Sequence, residues 1–165
     1  MRFTSHTTSD GVTQRDFVLG DVPGTLWTPA GDPTGLVLSA HGGGQHKHAP
    51  GMIGRAHRCA RAGLAVVTLD APGHGNRARS ADDERFAAEI RSLVAAGHNA
   101  GPVVARYNAL QASRAIPEWQ SVLDALLGSE VAVGDRVGFW GVSMGSAVGI
   151  PLLAAEPASA APCSG

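Results

Sequence analysis

The chain has 165 residues, 44% of them hydrophobic and 16% charged, which indicates one globular domain with a core rather than a disordered segment. Thirteen basic residues stand against fourteen acidic ones, and this net charge of -1 argues against nucleic acid or a membrane surface as a partner. No apolar run resembles a signal peptide or is long enough to span a membrane, so we expect a cytoplasmic protein.

Short apolar runs alternate with helical patterns along the chain. The predicted strands are residues 15–19, 25–28, 36–40, 64–69 and 136–140. The predicted helices are 50–62, 82–96, 103–127 and 144 to about 155. We expect a turn over 21–24 to join the first two strands into a hairpin, and Pro117 to kink or break the third helix. The apolar face of the second helix is expected to consist of Phe86, Ile90, Leu93 and Val94.

This alternation is typical of βαβ units. It predicts an α/β fold, with a mostly parallel sheet flanked by helices, formed by a single domain over residues 1–165. Ligands bind beyond the carboxyl ends of the strands in such sheets. Three glycine-rich segments follow predicted strands: 41–46, 70–75 and 141–145. We therefore expect these segments to meet at one functional site.

The segment Gly141-Val142-Ser143-Met144-Gly145 fits a sharp strand-to-helix turn that presents a serine hydroxyl above the sheet. Side chains at positions 141 and 145 are expected to collide across such a turn, so both positions need glycine. The N–H of Met144, at the start of the helix, is then free to bind an oxyanion. Ser143 is the candidate nucleophile, and an ordinary serine in a glycine-rich turn is the alternative.

A run of three glycines follows His41 directly after the strand 36–40. Its backbone N–H groups are candidates for a second oxyanion donor, Gly43 first and Gly44 next. We expect His41 to line the pocket in a structural role, holding this loop by side-chain hydrogen bonds. His46 and His48 lack the third and fourth converging ligands that zinc needs, so no metal or cofactor is predicted.

The segment Asp70-Ala71-Pro72-Gly73-His74-Gly75 ends another predicted strand and is rich in residues suited to tight turns. We interpret Asp70 as a cap of that turn. For His74 two interpretations stay open, because it can belong to the turn alone or line the pocket beside Ser143.

Together these three motifs, in this order, resemble the α/β-hydrolase superfamily over about residues 15–157, and most of all its dienelactone-hydrolase and prolyl-oligopeptidase-like esterase branch. The resemblance implies a serine esterase that forms an acyl-enzyme on Ser143 and takes a small-molecule ester or acyl substrate. It implies an oxyanion hole built from Gly43 and Met144. It also implies that 76–116 is a helical insertion near the pocket mouth that shapes specificity. The oligomeric state stays open.

In this superfamily the acid and the histidine of the triad follow the nucleophile along the chain. After Ser143 this chain has one acidic residue, Glu156, which lies roughly 20 Å away along the helix, and no histidine. We therefore expect a C-terminally truncated domain with an irregular tail over 158–165, and one hypothesis is a shifted reading frame after codon 157. Two alternatives are that His74 or His98 serves as the base, or that the polypeptide is an inactive fragment or a non-catalytic binding module.

Overall fold

The structure is a computed structural model that describes residues 1–131, 133–134 and 136–155. Over these residues seven strands form one sheet, in the order β1-β3-β4-β6-β5-β7 with β2 beside β3. The strands are β1 (Arg2–Phe3), β2 (Thr7–Ser9), β3 (Val12–Leu19), β4 (Val22–Pro29), β5 (Leu36–Ala40), β6 (Ala65–Leu69) and β7 (Val137–Gly141). The expectation of a mostly parallel sheet holds for β5, β6 and β7, while β1 to β4 add an antiparallel half, so the sheet is mixed.

Helices cover both faces of the sheet. They are α1 (Pro50–Arg61), α2 (Ala81–Ala95), α3 (Gly101–Leu127) and α4 (Met144–Ala155). Small side chains let α1 lie close to one face, where Ala56 and Ala60 pack against Val66 and Trp27. On the other face α3 and α4 form the larger core with the inward residues of β4, β5 and β6. None of the helices in the described ranges is long and apolar enough to cross a membrane.

The predicted hairpin turn and a break at Pro117 need correction, whereas a kink at Pro117 stays a prediction. The hairpin turn lies at Gly20 and Asp21 rather than over 21–24, because Gly20 takes a φ of +61° and Leu19 already pairs with Val22. Pro117 does not break the third predicted helix, which runs through it as α3. Buried side chains on both sides of the proline, Ala115 and Trp119, anchor the helix to the core.

The predicted apolar face of α2 is confirmed for Phe86, Ile90 and Leu93, which are half-buried, and is wrong at Val94. Asp83 is the buried residue of this helix, whereas Val94 is 63% exposed. The cause is tertiary, because α2 packs against α3 and not on the sheet. Its half-buried Ile90 lines a cleft that is described below.

The strand predicted at 136–140 differs from the prediction in its bounds and in its burial. β7 covers 137–141 and pairs with β5 on one side only among the described strands, which leaves Val137 40% exposed. The tail at 158–165 lies outside the described residues, as does Glu156.

Candidate active site

Ser143 occupies the sharp turn between β7 and α4 that the sequence predicts. Its φ is +52°, a left-handed value that a non-glycine residue adopts at a cost in free energy. β7 ends two residues before it and α4 begins at the next residue. The residue is exposed, and its hydroxyl makes no hydrogen bond within the described chain. The predicted strand-turn-helix geometry is therefore confirmed.

The two flanking glycines are required for different reasons. A Cβ at Gly141 would lie 2.6 Å from the carbonyl carbon of Gly145, which is the expected collision across the turn. A Cβ at Gly145 would lie 2.5 Å from the carbonyl oxygen of Ala40. The second collision is with the neighbouring strand β5 rather than across the turn, so that part of the prediction is corrected.

Parallel pairing brings the ends of three strands to one edge of the sheet. Ala40 pairs with Gly141, and Ser39 pairs with Thr68, so β5, β7 and β6 end side by side. The segments that follow them therefore meet, as the alternating pattern predicts.

These segments and the helices α2 and α3 enclose a cleft of about 480 Å³. The sheet-edge loops supply Gly43, Gly44, Gln45, Gly73, His74, Gly75, Ser143 and Met144, and the other residues of the lining are Arg79, Ala87, Ile90, Arg91, Val104, Tyr107 and Asn108. All of this second group falls within 76–116, the segment expected near the pocket mouth.

Three residues with unpaired backbone N–H groups line the same cleft as Ser143. The N–H groups of Gly43, Gly44 and Met144 have no acceptor within the described residues. In α4 the next two amides are already bonded, Gly145 to the carbonyl of Val142 and Ser146 to that of Ser143, each at 2.9 Å. Unsatisfied donors facing a cleft can bind a developing negative charge.

His41 holds the loops but lies outside this cleft, which corrects its assignment to the pocket lining. Its side chain is 2% exposed and borders a separate small cavity. The N–H of Ala71 donates to His41 Nε2 at 3.1 Å, so the Nδ1–H donates to the carbonyl of Gly42 at 2.8 Å. Burial lowers the pKa of His41 below its ordinary value, and the neighbouring His74 adds to this shift. A neutral His41 thus bridges the two loops that follow β5 and β6.

Asp70 does more than cap its turn, because it forms a buried ion pair with Lys47. The Lys47 Nζ lies 3.0 Å from Asp70 Oδ2, and the Lys47 backbone N–H donates to Oδ1 at 2.8 Å. Burial alone would raise the pKa of Asp70, but the hydrogen bonds and charge of Lys47 outweigh it and hold that pKa below its ordinary value. The same carboxylate packs so closely on Gly75 that no Cβ would fit there. Sequence reasoning missed Lys47, whose only signal is a lysine next to a motif.

His74 lines the cleft, and this decides between the two interpretations that the sequence left open. Its Nδ1–H donates to the carbonyl of Pro72 at 2.9 Å, so a neutral ring keeps Nε2 as an acceptor. The ring also lies 6.5 Å from the ring of Tyr107, centroid to centroid. His98 is exposed beyond the end of α2 and does not line the cleft.

Other charged groups near the motifs are structural. His48 contacts Asp16 at 3.0 Å and Thr25 at 2.8 Å, which joins the segment before α1 to β3 and β4. In the described ranges no group of three or more histidine, cysteine or acidic side chains could hold a metal ion. Sequence reasoning also missed Arg79, Arg91 and Tyr107 in the cleft, because their positions depend on how α2 and α3 pack.

Comparisons with known proteins lead to esterases and lipases. A monoacylglycerol lipase of Mycolicibacterium smegmatis is 37% identical over 89 residues, which are 49% of this chain and 30% of the lipase. A cold-adapted esterase from an Arctic intertidal metagenomic library, solved with bound PEG, is 29% identical with a TM-score of 0.69. That match covers 94% of this chain and 62% of the esterase. An S-formylglutathione hydrolase from Agrobacterium tumefaciens shares the fold at 16% identity and a TM-score of 0.60, over 92% of this chain and 56% of the hydrolase.

The chain therefore has the α/β-hydrolase fold, with its sheet flanked by helices as in these esterases. No family model matches it. It spans 30% of the length of the lipase and 62% of that of the Arctic esterase. The narrower resemblance to the dienelactone-hydrolase branch stays a prediction.

Proposed function

We propose that this chain carries the nucleophile and oxyanion hole of a serine hydrolase that cleaves carboxylic esters through an acyl-enzyme. The main support is the joint position of Ser143, Gly43 and Met144. A serine held at positive φ lines one cleft with two backbone N–H groups that lack acceptors. The likeness to esterases and a lipase supports the same substrate class.

In the proposed reaction the Ser143 Oγ attacks the ester carbonyl while its proton passes to a base. The N–H groups of Gly43 and Met144, with Gly44 nearby, stabilise the negative oxygen of the tetrahedral intermediate. Collapse of this intermediate breaks the bond to the alcohol, which leaves with a proton, and the acyl group stays on Ser143. Water then hydrolyses the acyl-enzyme and regenerates the hydroxyl. We propose that 76–116 shapes the acyl or alcohol side of the cleft.

The general base that would activate Ser143 has no carboxylate partner in this cleft. Among the described residues that line the cleft there is one histidine, His74, and no aspartate or glutamate. The Nδ1 of His74 is held by a backbone carbonyl, which cannot stabilise an imidazolium as a carboxylate does. We therefore propose that Ser143 in this polypeptide reacts with activated acyl donors but turns over slowly.

A fluorophosphonate probe tests this proposal, with the modified residue located by mass spectrometry after long incubation. We expect labelling of Ser143 in the parent chain and none in Ser143→Ala. Ser146→Ala is the matched control, because the Ser146 hydroxyl donates to the carbonyl of Gly141 and does not line the cleft. No labelling at Ser143 in a folded chain would favour the second candidate, a non-catalytic binding module.

A further inference from the structure

The charged side chains that line the cleft are all of one sign. Among the described residues that line it, the charged side chains are Arg79 and Arg91, and no carboxylate belongs to the lining. Both arginines belong to the wall that α2 and the segment before it build opposite the sheet edge. A cleft whose lining carries positive charge and no carboxylate favours an anionic ligand.

Arg91 is the arginine that is free to bind such a ligand. The acidic side chains of α2 are all paired: Asp82 with Arg85, Asp83 with Arg114, Glu84 with Arg79 and Glu89 with Arg106. Within the described residues the Arg91 guanidinium forms no ion pair and donates no hydrogen bond. Its charge therefore remains available at the cleft, whereas that of Arg79 is shared with Glu84 at 3.1 Å.

An apolar surface accompanies Arg91 in the cleft. Ala87 lies one helical turn before Arg91 on the same face of α2, and Ile90 of the same helix also lines the cleft. Val104 on α3 adds to this surface, and Tyr107 and Asn108 add polar groups. A ligand that reaches both Ser143 and Arg91 would therefore meet apolar side chains as well as a positive charge in this lining.

Resting on the ester hydrolysis proposed above, we propose that the natural substrate is an ester with an oxyanion, such as a carboxylate, at the far end of an apolar spacer, and that Arg91 is the residue that selects it. A guanidinium binds a carboxylate through two parallel hydrogen bonds. Arg79 supports the same charge from the neighbouring loop. The anionic group can belong to the acyl part or to the alcohol part of the ester. In either case it would bind the Arg91 guanidinium in the same way.

The test measures binding to the Ser143→Ala chain by NMR titration, so that no turnover is needed. Monomethyl adipate and its neutral counterpart dimethyl adipate probe an anion on the acyl part. 6-Acetoxyhexanoate and its methyl ester probe an anion on the alcohol part. We expect at least one of the anionic esters to bind about tenfold more tightly than its neutral partner, and the difference to shrink as salt rises.

Arg91→Gln in the same background should bring the anionic and neutral esters to within about twofold of each other. Arg58→Gln is the matched control, since Arg58 is an exposed arginine on α1 outside the cleft, and it should keep the preference. Equal binding of both esters in each pair by the parent chain would overturn the proposal, as would a preference that survives in Arg91→Gln. These outcomes are independent of the labelling of Ser143, so the anion site and the esterase can fail separately.

Discussion

Ala40, the last residue of β5, is the reason that position 145 of the neighbouring turn must be glycine. Its carbonyl oxygen lies 2.5 Å from the point that a Cβ at Gly145 would occupy. Backbone atoms of a central strand cannot move away as the tip of a side chain can. The first turn of α4 therefore lies directly against β5 at Gly145.

Gly145→Ala should accordingly destabilise the fold. Overpacking of this kind costs about 1–3 kcal/mol, and we expect at least that loss in the free energy of unfolding, measured by urea denaturation. Gly138→Ala is the matched control, because it lies in β7 with no heavy atom within 4 Å of its added Cβ. Equal stabilities of the two variants would show that the contact with Ala40 does not constrain the turn.

Lys47→Met tests the ion pair beneath the loops. It leaves the Asp70 carboxylate buried without its cation, a loss of about 3–5 kcal/mol for a buried pair. We expect a loss in this range, together with weaker fluorophosphonate labelling of Ser143, because Asp70 joins the loops that follow β5 and β6 and both line the cleft. The measurements are urea denaturation and labelling rate.

Arg61→Met is the comparison for that variant. It removes an arginine whose pair with Asp10 is 3.4 Å long, with side chains 58% and 71% exposed. Such exposed pairs contribute at most about 1 kcal/mol. If Lys47→Met costs no more than Arg61→Met, the Lys47–Asp70 pair does not hold the loops together.

The stability of the fold should depend on pH through His41. Its pKa is lowered in the folded state by burial, so the unfolded chain binds more protons just below its ordinary pKa of about 6.5. The free energy of unfolding should therefore fall as the pH drops below about 6.5, by at most about 1.4 kcal/mol per pH unit for this one proton. Urea denaturation at several pH values should show a smaller slope for His41→Gln. The exposed His6→Gln serves as the control, and an unchanged slope in His41→Gln would contradict the assignment.

Turnover of a simple aryl ester by this polypeptide should be slow. General acid–base catalysis contributes about 10²- to 10⁴-fold, and His74 lacks the carboxylate partner that would stabilise its protonated form. We expect a steady-state rate close to that of Ser143→Ala. A fast rate that disappears in Ser143→Ala would mean that a base acts here, and His74→Ala and His98→Ala would then locate it.

The parts of this site that follow from local rules could be predicted from the sequence. The turn at Ser143 depends on residues within two positions of it, and the meeting of the three loops follows from the alternation of strands and helices. The predicted donors Gly43, Gly44 and Met144 line the cleft with Ser143 for the same reason. Their chemical roles stay predictions.

The rest depends on contacts between segments that lie far apart in the sequence. Lys47 meets Asp70 because β5 and β6 are neighbours in the sheet, which no pattern around Lys47 indicates. The periodicity of α2 predicts an apolar face but not that the helix packs on α3, so Asp83 was missed as its buried residue. Position 94 faces solvent for the same reason.

Because of the position of β7, the candidate site is expected to open locally more easily than the whole fold unfolds. Among the described strands β7 is held by β5 alone, its first two residues are exposed, and Ser143 lies two residues after its end. Parts of a protein with few protected amides open more often than the whole unfolds. We expect hydrogen exchange to show the amides of 138–141 exchanging before those of β6, which has a strand on each side. When β7 opens locally, most of the sheet stays folded but Ser143 leaves its position in the turn. The fraction of molecules with a reactive Ser143 is therefore set by the local stability of β7 rather than by the free energy of global unfolding.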